Sequence, residues 1–142
     1  MQIPKPLIIG IDPDLEKSGV AVLKDGSLRL DNMRFYDLTQ YFEVNKDQIK
    51  KVVIEAGWQN KKANFRGGHS KRVSEQISRR VGLNHATGIL LVEMAKSFGL
   101  AVVEVRPTKT KKNSEEFNRI TGWQGRTNQE QRDAGMLIWG MV

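Results

Sequence analysis

Four carboxylates stand where this chain should be apolar. Asp12 ends the run Leu7-Ile8-Ile9-Gly10-Ile11, Glu55 ends Val52-Val53-Ile54, and Glu130 and Asp133 share one side of a final segment with Ala134, Leu137, Ile138 and Met141. An ionised carboxylate taken out of water without a partner costs several kcal/mol or shifts its pKa until it neutralises. Four together repel one another, and Glu130 and Asp133, at i and i+3, destabilise a helix unless something neutralises them. A hard divalent cation does so, because Mg²⁺ accepts carboxylate oxygens and water in octahedral geometry and keeps its ligands ionised. Each acid alone has an ordinary explanation: Asp12 as a turn former before Pro13, Glu55 as the partner of a lysine, Glu130 and Asp133 as a solvated pair. Their joint occurrence predicts a metal site.

The elements that must position these acids are readable from hydrophobic period. Leu7 to Asp12 is a continuous apolar run, as for a strand buried on both faces. Val20 to Leu23 predicts a second strand, joined by a hairpin through Lys24-Asp25-Gly26-Ser27 to a third near 28–35. Leu38, Tyr41 and Phe42 predict a short helix over 37–47 before the strand that Glu55 ends, and a strand–helix–strand crossover favours parallel pairing. Residues 56–69 read as a long loop. Ser70 caps a predicted helix reaching Gly99, with Val73, Ile77, Val81, Ile89 and Val92 as its stripe. Gly82 and Gly88 within it cost helix stability unless close packing uses the missing side chains. Leu100 to Val105 is a fifth strand, Ser114 starts a short helix, and the last helix begins near Asn128. The expected fold class is α/β, a mixed five-stranded sheet of an antiparallel three-strand meander plus two parallel strands, flanked by helices.

Length and composition bound the rest. At 142 residues, the expectation is one domain over 1–142. The chain has no cysteine, which excludes disulfides, zinc–thiolate sites and thiol nucleophiles and leaves hard-ligand metal chemistry open. No apolar stretch approaches the roughly 20 residues of a membrane span, and the chain runs straight into a strand, so a soluble, cytoplasmic protein is expected. The net charge of +7 is concentrated in two segments. Residues 58–80 carry Lys61, Lys62, Arg66, Lys71, Arg72, Arg79 and Arg80 against Glu75 alone, and 106–112 carry Arg106, Lys109, Lys111 and Lys112 with no acid. A polyanion is the natural partner, and solvated loops serving solubility are the bland alternative.

Ile9-Gly10-Ile11-Asp12-Pro13, Ser18-Gly19-Val20-Ala21, Val53-Ile54-Glu55 and Glu130-Gln131-Arg132-Asp133-Ala134, in this order, resemble the RuvC-type Holliday-junction resolvases of the RNase H-like superfamily, especially compact phage-type members. Actin-like ATPases also begin with a Gly-x-Asp strand, but they need a second, duplicated domain. The resemblance implies an RNase H-like nuclease domain with Asp12 and Glu55 on adjacent central strands and Glu130 and Asp133 brought over them. It implies all four as catalytic ligands of two Mg²⁺ or Mn²⁺ ions, about 4 Å apart as in two-metal phosphodiester hydrolysis. Asp12 would be the bridging ligand, and the products would carry a 5′ phosphate and a 3′ hydroxyl. Lys109 or Arg106 would supply a further basic group near the site. The family commonly has Gly at the position of Asp14, and Asp or His at that of Glu130.

The implied substrate is a four-way junction or other branched DNA. An RNA–DNA hybrid or flap nuclease and a non-catalytic DNA-binding module of the same fold are the competing readings. Trp58, Lys61, Lys62, Phe65 and Arg66 after Glu55 combine phosphate-neutralising charge with rings able to stack on unpaired bases, although Trp58 is equally open to burial. Lys71, Arg72, Arg106, Lys109, Lys111 and Lys112 extend the basic surface. Arg126 precedes the last helix, where it is placed to grip a phosphate, while Thr127 and Asn128 are explained as well by N-capping. The 70–99 helix resembles the element through which these resolvases form twofold dimers. His85 reads as an ordinary packing or surface histidine, and Trp123 and Trp139 as core or interface.

Overall fold

The computed structural model describes residues 4–60 and 70–142. Five strands form one mixed sheet: β1 (Leu7–Asp12), β2 (Ser18–Lys24), β3 (Ser27–Met33), β4 (Ile49–Glu55) and β5 (Val102–Val105). Their spatial order is β3-β2-β1-β4-β5. The meander β1-β2-β3 is antiparallel, and β4 and β5 add in parallel to β1. The helices are α1 (Phe35–Asn45), α2 (Lys71–Ser97), α3 (Ser114–Thr121) and α4 (Gln129–Ile138). This is the expected α/β architecture, with strand and helix ends displaced by a few residues.

Side chains alternate across a strand, so β1 feeds two cores. Leu7, Ile9 and Ile11 pack on one face with Leu38 and Phe42 of α1 and Leu91, Val92 and Ala95 of α2. Ile8 faces the other way, with Ala21 and Val53, against Ala134 and Ile138 of α4. Sheet burial on both faces explains why β1, β2 and β4 read as unbroken apolar runs. Glycines at the centre of the sheet admit α4. A Cβ on Gly10 would collide with the Ala134 carbonyl, and one on Gly19 with the backbone of Glu130, so the helix backbone rests directly on β1 and β2.

The long helix departs from its expected stripe. Ser70 does cap it, accepting a hydrogen bond from the Val73 amide at 3.2 Å. The buried positions, however, are Thr87, Gly88, Leu91, Val92 and Ala95, all in its C-terminal half, whereas Val73 and Ile89 are exposed. A helix of 27 residues is about 40 Å long and overreaches strands of at most seven residues, so only one half finds a sheet to cover. Its two glycines differ accordingly. A Cβ on Gly88 would strike Trp58 and crowd Pro13, whereas Gly82 faces open space.

Candidate metal centre

Parallel pairing of β1 and β4 sets Ile11 beside Ile54, so the next residues, Asp12 and Glu55, emerge together at the carboxyl ends of adjacent strands. In open α/β sheets this edge is where ligands bind. α4 supplies a third acid. The carboxylates of Asp12, Glu55 and Asp133 each offer an oxygen within 4.8 Å of the others. Glu55 is only 9% exposed, and its Oε2 is buried without a hydrogen-bond partner. Burial, then the neighbouring Glu55 carboxylate, then Asp133, push the Asp12 pKa up to about 9, against the opposing charge of Lys111. A proton on Asp12 is one answer to this crowding of negative oxygens. A divalent cation is the other, and the orphaned Glu55 oxygen and an all-carboxylate donor set fit a hard ion such as Mg²⁺ or Mn²⁺.

The resemblance implied four converging acids; the three carboxylates within 4.8 Å of one another do not include Glu130. The backbone at Glu130 lies on Gly19, the β2 residue paired with Asp12, and its side chain lines a hollow of about 770 Å³ with Asn32, Arg34 and Arg80. Three residues along a helix is about 60° short of a full turn. That rotation carries Asp133 toward β4 and leaves Glu130 on the β3 side.

One cation is already at the cluster, and it is neither Lys109 nor Arg106. Lys111 Nζ donates to Asp133 Oδ2 at 2.6 Å. Burial by itself lowers the pKa of this ammonium, but the hydrogen bond to Asp133 and the charges of Glu55, Asp133 and Asp12 outweigh it and raise the pKa above its ordinary value. Lys111 thus stands between two clefts that meet at Glu55. One, of about 230 Å³, is bounded by Asp12, Trp58, Asn84, His85 and Pro107. The other, of about 270 Å³, is bounded by Arg106, Thr108, Lys112, Asp133 and Leu137.

The remaining expected contact residues are scattered around these clefts. Trp58 is half-buried, its ring edge against Gly88, and it still lines the first cleft beside Pro13. Lys61, Lys62, Phe65 and Arg66 lie outside the described residues. Lys71 and Arg72 are exposed at the start of α2, Lys109 in the loop after β5, and Arg126 ahead of α4. Asn128 is the N-cap of α4, its Oδ1 accepting from the Gln131 amide at 2.9 Å. His85 packs on Gly57 and faces the cleft that Asp12 lines. Trp139 packs against the α4-side core, and Trp123 is half-buried.

Three groups were not legible as site residues. Asp14, at the position where the resembled family has Gly, organises the turn after β1. Its Oδ2 accepts from the Glu16 amide at 3.0 Å, and Arg80 of α2 lies 3.6 Å away. Gln129 Nε2 donates to Asp133 Oδ1 at 2.8 Å, and Arg132 Nη2 donates to Gln129 Oε1 at 3.0 Å. The i, i+4 spacing of Gln129 and Asp133 is the one sequence signal that could have found the first of these bonds.

No protein-family model and no curated protein matches this sequence. Among solved structures, the chain is similar to T. thermophilus RuvC in complex with Holliday junction substrate, at 14% identity and a TM-score of 0.57, over 92% of this chain and 88% of that one. It is likewise similar to a second Thermus thermophilus RuvC structure, at 14% identity and a TM-score of 0.54, over 92% and 90%. The fold of this chain is RuvC-like, an RNase H-like sheet with its acids at the carboxyl edge of the central strands.

Proposed function

We propose that this protein is a divalent-metal-dependent, structure-selective endonuclease, a compact phage-type resolvase that nicks four-way or other branched DNA as a crossover junction endodeoxyribonuclease. The observation that carries the reading is the convergence of Asp12, Glu55 and Asp133, with the orphaned oxygen of Glu55, at the strand edge of a RuvC-like fold. The T. thermophilus RuvC with a similar fold is in complex with a Holliday junction, which supports branched DNA as the substrate here. In this reading the chain is a single nuclease domain acting in the cytoplasm on recombination and repair intermediates, and among its described residues no helix is long and apolar enough to cross a membrane.

Asp12, Glu55 and Asp133 would hold the metal, two Mg²⁺ or Mn²⁺ ions per site. Bound ions of this kind supply an activated water and charge stabilisation for phosphodiester hydrolysis, leaving a 5′ phosphate and a 3′ hydroxyl. Asp12, whose carboxylate neighbours both other acids, would be the central ligand of the set. Lys111 keeps a fixed positive charge beside the reacting phosphate, where preorganised charge counts most. Arg106, Lys109, Lys112, Lys71 and Arg72 take the flanking backbone; Lys61, Lys62 and Arg66 are assigned as further phosphate contacts from their chemistry, and Trp58 and Phe65 as rings that meet unpaired bases at the branch. Arg126 adds a phosphate contact ahead of α4. The overreaching half of α2, with Val73 exposed, is the surface through which two copies pair and place two sites on symmetric strands.

The test is cleavage of a labelled four-way junction, a flap and an RNA–DNA hybrid with and without Mg²⁺. Metal-dependent nicking of the junction, lost in Asp12→Asn and Glu55→Gln with junction binding retained, is the expected outcome. Preference for the hybrid or flap redirects the substrate assignment, and binding without cleavage or metal uptake identifies a non-catalytic module.

A further inference from the structure

The shell behind Asp133 is a closed set of hydrogen bonds centred on a residue that no part of the metal chemistry requires. Arg132 donates from Nε to the Lys112 carbonyl at 2.9 Å, from Nη1 to the Thr127 carbonyl at 2.9 Å and hydroxyl at 3.0 Å, and from Nη2 to Gln129 Oε1 at 3.0 Å. Gln129 passes the hold forward, its Nε2 donating to Asp133 Oδ1 at 2.8 Å and to the Lys112 carbonyl at 3.3 Å. Lys111, next in the chain to that carbonyl, closes the ring on Asp133 Oδ2.

The donor inventory makes this arrangement directional. A guanidinium only donates and an ionised carboxylate only accepts. Gln129, lying between them, therefore has one orientation that satisfies both: its oxygen toward Arg132 and its amide N–H toward Asp133. Without Arg132 the Gln129 oxygen loses its donor, and the amide that reaches Asp133 is held at one end only. The same guanidinium, by gripping the Lys112 carbonyl, fixes the backbone from which Lys111 reaches the acids.

We infer that Arg132, acting through Gln129 and the Lys112 carbonyl, is a positioning residue that aims Asp133 into the acid cluster and sets Lys111 against it. This rests on the reading of that cluster as a divalent-metal site. Outer groups that orient a metal ligand are typically worth about 10–100-fold in metal affinity or activity. A plain staple between loop and helix would instead lower the melting temperature and leave the affinity of the folded protein untouched.

The experiment is Mn²⁺ titration by calorimetry on the full chain and on Arg132→Met, Arg132→Lys, Gln129→Met and the Gln129→Met/Arg132→Met double variant. Each is measured at a temperature where circular dichroism shows it folded, and metal-free melting is recorded alongside. Arg119→Met, removing an exposed guanidinium of α3, controls for lost charge. The expected result is about 10–100-fold weaker binding in Arg132→Met and Gln129→Met. Arg132→Lys should give no rescue, because one ammonium cannot span Lys112, Thr127 and Gln129, and the double variant should be no worse than its weaker parent. Affinities of the single variants within about twofold of wild type, or losses that multiply in the double variant, overturn the inference. If Arg132→Met does not fold, wild-type affinity in Gln129→Met overturns it alone. Wild-type protein that binds no Mn²⁺ overturns the metal reading and this inference with it. Mn²⁺ binding without DNA nicking overturns the nuclease reading only, and the affinity series still decides the role of Arg132.

Discussion

Two sides of the acid cluster are built by different means. Asp12 and Glu55 leave adjacent strands whose pairing fixes their separation, with Ile9, Ile11, Val52 and Ile54 fully buried behind them. Asp133 and Lys111 come from a helix turn and an irregular loop, and their meeting is held by side-chain bonds from Gln129 and Arg132. The strand side is placed by the core and needs no outer support. The helix side stays adjustable until polar contacts fix it. Removing a ligand from the first side should therefore delete a function, whereas loosening the second should grade it.

The largest expected effect comes from the strand side. Asp12→Asn or Glu55→Gln should reduce Mg²⁺-dependent junction cleavage by about 10²–10³-fold or more, the scale for removing one preorganised electrostatic group. Junction binding, read by gel shift, should be unchanged. Cleavage by either variant at the wild-type rate would break the assignment of this edge as the reactive one.

Next comes a contrast within α4. Asp133→Asn should weaken Mn²⁺ binding by at least about tenfold, whereas Glu130→Gln should change it by less than about threefold, because only Asp133 shares the cluster with Asp12 and Glu55. Calorimetric titration of both variants checks this. Equal losses would mean that α4 turns by most of a residue on loading with metal.

That contrast marks the limit of what was legible in the residues. An apolar run ending in an acid needs only the period of a strand to be read, and Asp12 and Glu55 followed from it. The α4 stripe correctly turned Ala134 and Ile138 inward, but a stripe is too wide to separate two acids that differ by about 60°. Contact of Gly10 and Gly19 with the helix backbone decides that separation, and it is a tertiary fact. Lys111 was one of several cations in a basic loop, and nothing in the order Lys109, Lys111, Lys112 says which one turns inward. Arg132 lies outside the α4 stripe, and hydrophobic period says nothing of the four hydrogen bonds this half-buried guanidinium donates. On α2 the period suggested Val73 and Ile89, yet helix length against strand length leaves Val73 beyond the sheet, and Ile89, within the covering half, is exposed beside the buried Gly88 and Leu91.

The strand side also has a signature in stability. Asp12 has a pKa raised from 3.8 to about 9 in the folded chain, so between these values the native state binds the proton more tightly than the unfolded state does. Stability then falls as pH rises through that window. Metal-free wild type should melt at a lower temperature at pH 8 than at pH 5. Asp12→Asn, lacking the group, should show a flatter dependence, and saturating Mn²⁺ should restore the wild type at pH 8 by mass action. Scanning calorimetry of the four combinations checks the sign. A wild-type profile parallel to that of Asp12→Asn would show that burial and its neighbours do not strain this carboxylate.

The smallest effects should come from α2, which backs the turn after β1 on the strand side. Gly88 gives up its side chain to Trp58 and Pro13, so Gly88→Ala forces the indole out of its seat and should cost about 1–3 kcal/mol, as for overpacking. Gly82, nearly two turns earlier, meets nothing, and Gly82→Ala should stabilise by about 0.5–1 kcal/mol through helix propensity alone. Chemical denaturation of the two variants checks the opposite signs. Cleavage sharpens the distinction further: Pro13 follows Asp12, so displacing it through Gly88→Ala should lower activity. A loss of stability in Gly88→Ala with full activity would show that the turn tolerates movement. The rigidity of the strand side would then reside wholly in the pairing of β1 with β4.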